Sequence, residues 1–302
     1  MAEEFGLGRL LEATPLAGGR AGVRRLVTTR GQFVIKPAGR PAEALLYEQV
    51  ALILNKAGVR QARPLRTVSG GLTGEWGHTA QEFLPGGIFM RPTAAQTLAV
   101  MRHLGEYHAA LARVPSGPPS EVTIWTQVTS PGFLLRELPG LADRARAALP
   151  PASQEVVHRA LHHLRAAVPR ISALPRQLIH GDIGPDNVLM DGDQVVAVID
   201  FTPHTEPVIF AIAGAVYWYH AYGHPALDLA AMRASLEAAG AHRPWTPDEL
   251  ATWPAMLLRE ALRRVATTLA TTEPPDLPAV PSFRLRYQAL ALLLDAWPDL
   301  AR

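Results

Sequence analysis

Ile179-His180-Gly181-Asp182-Ile183-Gly184-Pro185-Asp186-Asn187-Val188-Leu189-Met190 is followed by Asp191-Gly192-Asp193-Gln194 and by an apolar run over 195–201 that ends in Ile199-Asp200-Phe201. An Asp-Gly turn between two runs rich in Val, Leu and Ile predicts a short β-hairpin. Such a hairpin sets Asp182, Asn187 and Asp200 on adjoining loops, so that three oxygen-bearing side chains converge. Phosphoryl transfer calls for such a set: one group to accept the hydrogen of a substrate hydroxyl, and hard oxygen ligands for Mg²⁺. An Asp, an Asn five residues on, and an Asp-Phe at a strand end thirteen residues after that have the spacing of a catalytic loop and a metal loop.

Outward from this segment the texture of the chain changes near Arg91. Before it, residues 8–16, 23–29 and 32–37 read as short strands separated by glycine-rich turns. A helix is expected over 41–57, stopped by Gly58, and a further strand pair at 67–68 and 78–84. After it, helices are expected over 94–111, 141–148, 153–168, 226–239 and 282–297. Thr246-Pro247-Asp248-Glu249 is a capping box, and Pro254 is expected to break or restart the helix it opens. The expected class is α+β: a small antiparallel β lobe, residues 1–88, with one helix, and a larger mainly helical lobe, residues 89–302, carrying the catalytic and metal loops. A cleft between lobes is the default ligand site.

The 302 residues, 48% of them hydrophobic, can fill a sizeable core. Cysteine is absent, which excludes a disulfide framework, a thiolate metal site and cysteine nucleophilic chemistry, and fits a reducing cytoplasm. The opening Met-Ala-Glu-Glu is acidic where a secretory signal has a basic region, and the most apolar stretch, 208–219, is too short to span a bilayer. A net charge of +2, with arginines scattered among acids, leaves no basic run to bind nucleic acid. Only two of the 29 basic residues are lysines, Lys36 and Lys56, so a lysine held on an expected strand invites a specific role.

His180-Gly181-Asp182 with Asn187 five residues after the Asp resembles the catalytic loop of the aminoglycoside phosphotransferase and homoserine/choline kinase superfamily, and the likeness extends over most of the chain. The resemblance implies a two-lobed protein-kinase-like fold and an ATP- and Mg²⁺-dependent transfer of the γ-phosphoryl group to the hydroxyl of a small molecule. It makes Asp182 the catalytic base and Asn187 and Asp200 the metal ligands. Lys36, in Phe33-Val34-Ile35-Lys36, looks like the strand lysine that grips the phosphates, with Glu48 of the next helix as its ion-pair partner and Glu43 as the other candidate. Glu82, Phe83 and Leu84 look like the hinge whose backbone binds adenine, and residues 18–22, Gly19 among them, stand where the phosphate loop belongs without spelling Gly-x-Gly-x-x-Gly. His108, closing a Leu-Gly-Glu-Tyr-His helix, and His180 resemble structural histidines of the family. Phe210 stands where many relatives carry an Asp before a Leu-Ala or Val-Ala pair.

Other features have plainer readings. His158, His162 and His163 have helical spacing but no carboxylate to complete a metal set, and the cluster from Tyr217 to Tyr222 reads as packing. Asp186, Asp193 and Glu206 read as turn residues. A protein kinase would carry an Ala-Pro-Glu stop after the metal loop, which residues 202–219 do not. A nucleotide-binding pseudokinase is the competing class, and the retained Lys36, Asp182, Asn187 and Asp200 speak against it. The acceptor is not legible from the sequence: the 185–187 and 199–201 forms are only slightly closer to the homoserine-kinase branch than to the resistance enzymes, and oligomeric state is equally silent.

Overall fold

The computed structural model describes residues 1–16, 22–39, 41–115, 140, 143, 149–271 and 280–302. The expected helix over 141–148 and the loop residue Gly19 lie outside the described residues. Two compact units can be distinguished. The first joins residues 1–90, 109–115 and 186–201; the second takes 91–108, 202–302 and the described part of 116–185. The hairpin after the catalytic loop therefore belongs with the N-terminal residues.

In the first unit short runs rich in Leu, Val, Ile and Phe, bounded by turns, form an antiparallel sheet of β1 (Leu10–Pro15), β2 (Arg24–Thr28), β3 (Gly31–Pro37), β4 (Pro64–Leu65) and β5 (His78–Glu82). Its spatial order is β1-β2-β3-β5-β4. One face buries Leu26, Ile35 and Ala80 against Ala2, Phe5 and Leu7 of the N-terminal segment. Helix α1 (Pro41–Lys56) follows β3.

The edge strand is 64–65, not the expected 67–68. Thr67 instead closes a turn: its amide donates to the Gly71 carbonyl at 2.7 Å and its hydroxyl accepts from the Gly71 amide at 3.0 Å, with Gly70 at φ +91. Only glycine enters that region without strain, so the Gly-Gly pair ends the extended chain here.

A second small sheet pairs β6 (Gly87–Ile88) with β8 (Val188–Asp191), and β8 with β9 (Gln194–Val198). Gly86, at φ +141, lets the chain pass close to it, because a Cβ there would sit 3.1 Å from that of Leu189.

The second unit contains α2 (Ala94–Leu111, as far as residue 108), α3 (Pro151–Ala173), the strand pair β7 (Gln177–His180) and β10 (Pro203–Glu206), then α4 (Val208–His220), α5 (Leu229–Gly240), α6 (Pro247–Thr271), α7 (Pro281–Asp295) and the short α8 (Trp297–Leu300). Helix α6 is the hub, packing on α3, α4 and α7. Helix α4 is apolar almost all round and buries nearly all its residues. Uniform apolarity carries no 3.6-residue period, so the sequence reading left this segment without a helix.

The capping box at Thr246 forms as expected, with amide-to-side-chain bonds of 3.0 and 3.2 Å to and from Glu249. Pro254 does not break the helix, which is a correction to the sequence reading: α6 runs unbroken from Pro247 to Thr271. The carbonyl left without its helical partner is that of Leu250, an exposed residue that water can serve, while residues 252–258 are buried and hold the helix in place. No helix among the described residues is long and apolar enough to cross a membrane.

Gly105 of α2 lies directly against the α5 backbone, where a Cβ would come within 2.9 Å of the Ala239 carbonyl carbon and closer still to its oxygen. Backbone cannot yield as a side-chain tip does, so Gly105→Ala should destabilise by about 1–3 kcal/mol despite alanine's better helix propensity. Denaturant unfolding checks this, and an unchanged or higher stability would contradict the close approach.

Candidate active site

Two groups of side chains form, one in each unit. In the first, β3 buries Ile35 on one face and turns Lys36 to the other, as strand alternation requires. The Lys36 Nζ lies 3.7 Å from Oδ1 of Asp200 and 5.2 Å from the ring centroid of Tyr47 on α1. Asp200 is held in the left-handed region at φ +53, the one non-glycine residue so placed among those described. A conformation of that kind costs on the order of 1–3 kcal/mol and persists only where neighbours enforce it.

The neighbours are identifiable. Phe201 is fully buried, its ring 5.7 Å edge-on from that of Tyr47, and the Tyr47 hydroxyl donates a short hydrogen bond to the Phe201 carbonyl. On the other side the Ile199 amide donates to the Asn187 carbonyl at 2.9 Å, tying the residue before Asp200 to the other expected metal ligand. The Asp200 side chain is about half exposed, at 52%, against 24% for Lys36.

The second group is built on the β7–β10 pair. The Gly181 amide donates to the Thr202 carbonyl at 2.8 Å, continuing the ladder, and a Cβ on Gly181 would meet the His204 ring at 2.5 Å. Only glycine fits there, which explains the middle residue of His-Gly-Asp. A chain of buried histidines then fixes the loop. The His108 Nδ1–H donates to the Leu104 carbonyl at 2.8 Å, its Nε2 accepts from the His180 amide at 3.4 Å, and His180 Nδ1 accepts from the Asp182 amide at 3.2 Å. Both acceptor roles require a neutral ring. Burial accordingly pushes His108 down to about 3, and burial with the nearby Arg263 and Arg259 does the same to His204.

Asp182 itself faces α6. Its Oδ1 accepts from Nη2 of Arg264 at 2.7 Å, and Nη2 of Arg263 lies 4.0 Å away. Burial alone would raise this carboxyl, but the two guanidinium groups outweigh it and hold it below its ordinary value.

Taken separately, the two groups supply what phosphoryl transfer needs from a protein: a carboxylate kept ionised on a braced loop, and oxygen ligands beside a lysine. Comparison with known proteins points the same way. Residues 12–245 match the model of the phosphotransferase enzyme family. The chain belongs to that family.

Among its relatives, a homoserine kinase from Pseudomonas aeruginosa is 30% identical over 277 residues, covering 89% of this chain and 84% of the relative. One from Methylobacillus flagellatus is 46% identical over 92 residues, a stretch that spans 28% of that relative's length. Two solved structures share the fold. An aminoglycoside phosphotransferase from Alicyclobacillus acidocaldarius has a TM-score of 0.72 at 16% identity, covering 96% of this chain and 92% of its own. An amicoumacin kinase in complex with AMP-PNP and Ca²⁺ has a TM-score of 0.67 at 16% identity, covering 94% and 90%. The α+β kinase-like class expected from the sequence is the one found.

Within this family member, several expected positions have specific partners. Glu48, expected opposite Lys36, is instead bound by Arg66, whose Nε donates to its Oε1 at 2.7 Å. Successive helix residues point about 100° apart, and it is Tyr47 that faces Lys36. In the hinge stretch the Glu82 amide donates to the Arg63 carbonyl at 3.1 Å and the Phe83 amide to the Gln32 carbonyl at 3.3 Å, while among the described residues the Leu84 amide meets no acceptor. The Leu84 side chain joins Ala62, Leu189 and Ala197 in an apolar cluster of the first unit.

Phe210, which departs from the family pattern, underlies the buried Arg259, whose guanidinium carbon sits 3.8 Å from the ring centroid and whose Nη2 lies 3.5 Å from Glu206. Glu206 is thus buried in ion pairs with Arg259 and Arg176, not the turn residue expected, although burial still raises its carboxyl above the ordinary range. Tyr47, Glu260, Arg263 and Arg264 were missed by the sequence reading. For the last three a signal existed, since Glu260 has arginines three and four residues on, the spacing at which helix side chains meet.

The neutral histidines make acid destabilising. An unfolded histidine takes up a proton below about 6.5, whereas His108 in the fold does so only near 3, so its contribution is whole above 6.5 and is lost as pH falls from 6.5 toward 3. The slope is about 1.4 kcal/mol per pH unit per such group. Denaturant unfolding at pH 7, 6 and 5 should show stability falling, with a shallower fall in His108→Gln; identical slopes would refute the neutral brace.

Proposed function

We propose that this chain is an ATP- and Mg²⁺-dependent kinase that transfers the γ-phosphoryl group to the hydroxyl of a small molecule, with L-homoserine as the first acceptor to test. The observation that carries the reading is the approach of Lys36 to Asp200 at 3.7 Å, two residues 164 positions apart that the fold brings together beside a strained loop. A nucleotide phosphate and its metal need a cation and a carboxylate in such proximity.

In this reading Lys36 binds the ATP phosphates and Asn187 and Asp200 hold the metal. Their donors are all oxygen, hard in the sense Mg²⁺ requires, and two protein ligands suit an ion that keeps waters and phosphate oxygens in its shell. When bound, Mg²⁺ neutralises charge on the phosphates. The Leu84 amide, with the apolar cluster around Leu189, takes the adenine. Glu48, paired with Arg66, is given no role in this reading.

Asp182 accepts the hydrogen of the acceptor hydroxyl and orients its oxygen. A base held below its ordinary value by two arginines suits a reaction whose loose transition state makes proton removal a late and modest demand. Homoserine is favoured as the first acceptor by the 30% identity to homoserine kinases over 89% of the chain. The absence of cysteine is in keeping with a cytoplasmic enzyme acting on a soluble metabolite. A pseudokinase reading has no observation in its favour, because none of Lys36, Asp182, Asn187 or Asp200 is replaced.

Coupled-assay turnover of ATP and L-homoserine with Mg²⁺, extended to amino alcohols, aminoglycosides and sugars, tests the reading. Asp182→Asn should lower kcat by roughly 10²–10⁴-fold while calorimetry finds ATP binding little changed. Lys36→Ala should instead raise the KM for ATP. Full activity in Asp182→Asn, or no binding of any nucleotide by the native chain, would overturn the proposal.

A further inference from the structure

A buried carboxylate needs a partner, and Glu260, in the middle of α6, already has one. Arg263 binds it through two hydrogen bonds of 2.8 and 2.7 Å. Arg264 is therefore surplus to the neutralisation of Glu260, yet its Nε also donates to Glu260 at 2.7 Å while its Nη2 reaches Oδ1 of Asp182 at 2.7 Å. One guanidinium thus spans two carboxylates 78 positions apart, and the Trp218 ring lies beneath it with the guanidinium carbon 4.6 Å from the centroid. Arg264 side-chain exposure is 14%, and that of Glu260 is 2%.

The geometry is a relay. Glu260 is rooted in the most buried part of the hub helix, and Arg264 is fixed at Nε by Glu260 and on its face by Trp218. From this rigid base the Arg264 Nη2 reaches Asp182 at hydrogen-bonding distance, while Arg263, bound to the same Glu260, stays 4.0 Å away. Residues 260–264 also lie beyond the stretch that matches the family model, which stops at 245.

We propose that Arg264 and Glu260 are positioning residues for phosphoryl transfer: Glu260 fixes the Arg264 guanidinium, and Arg264 fixes the orientation and the ionised state of Asp182. This rests on the kinase reading above, in which Asp182 receives the hydrogen of the acceptor. Among the described residues, the charged and titratable groups around Asp182 include Arg263, Arg264 and Glu260 from α6, His204 from β10 and His180 from its own loop. His204 on β10 is kept neutral by burial and the nearby arginines, so it is the arginines that supply positive charge beside Asp182.

The consequence can be read without turnover. In full-length protein labelled with ¹³C at aspartate carboxyls, the Asp182 signal is identified by its loss in Asp182→Asn. In the native chain it should keep its ionised shift down to the lowest pH at which the protein is folded. In Arg264→Met, where only Arg263 at 4.0 Å remains beside this partly exposed carboxyl, it should protonate at a higher pH than in the native chain, and the acid limb of kcat should rise with it. Arg264→Lys should restore the ionised shift but only part of kcat, because a point charge cannot bridge two carboxylates as a fork does.

With ATP, Mg²⁺ and L-homoserine, Arg264→Met should lower kcat roughly 100-fold and leave the KM for ATP unchanged, as expected of a misplaced base. Arg264→Gln, which keeps a donor without the charge, replaces the Met variant if that one does not fold. An Asp182 signal that titrates alike in the native chain and in the Met or Gln variant, or a native Asp182 that protonates at or above the ordinary aspartate value, overturns the inference. Failure of the native chain to phosphorylate any acceptor would count against the kinase reading instead, and the carboxyl titration would still decide what Arg264 does to Asp182.

Discussion

Glu260 is the constraint around which the second unit is arranged. An ionised carboxylate buried at the centre of a helix is tolerated only with charge-assisted hydrogen bonds around it, and breaking a buried pair of this kind typically costs about 3–5 kcal/mol. Arg263 and Arg264 meet that requirement from the next turn of the same helix, and together they hold Glu260 far below the ordinary carboxylate range against its burial. The hub helix packs on α3, α4 and α7, so the position of Arg264 is set by the whole helical core. Through it the core reaches the loop that bears Asp182.

The metal loop of the first unit is held by a different kind of force. Asp200 sits in backbone geometry that favours glycine, and it stays there because Phe201 is locked on both its ring and its carbonyl by Tyr47. Lys36 rests on the face of the same tyrosine. One side chain of α1 thereby positions both the strand lysine and the loop aspartate, which makes Tyr47 the organiser of this group.

Much of the fold could be read ahead of the structure where a local rule applied. The β-meander, the capping box at Thr246 and the helix at 94–111 all follow from residue period or turn chemistry. Helix α4 escaped because burial on every side erases the amphipathic period, and Pro254 misled because a proline removes one hydrogen bond without undoing a helix that is held from outside. Glu48 and Glu206 show the same limit for charges. Glu48 was assigned from the family resemblance and Glu206 from its place near the catalytic segment, and both found arginines that are distant in the chain.

What the sequence determined alone is the chemical inventory: the spacing of Asp182, Asn187 and Asp200 and a lone strand lysine in an arginine-rich chain, each legible because reaction chemistry restricts the residue type locally. What only the tertiary structure decided is the partnership of those groups. Lys36 meets Asp200 across 164 positions and Asp182 meets Arg264 across 82, and no local period encodes such pairs. Coulombic and packing energies depend on distance in space, and distance in space is set by how the helices and the sheet bury their apolar faces.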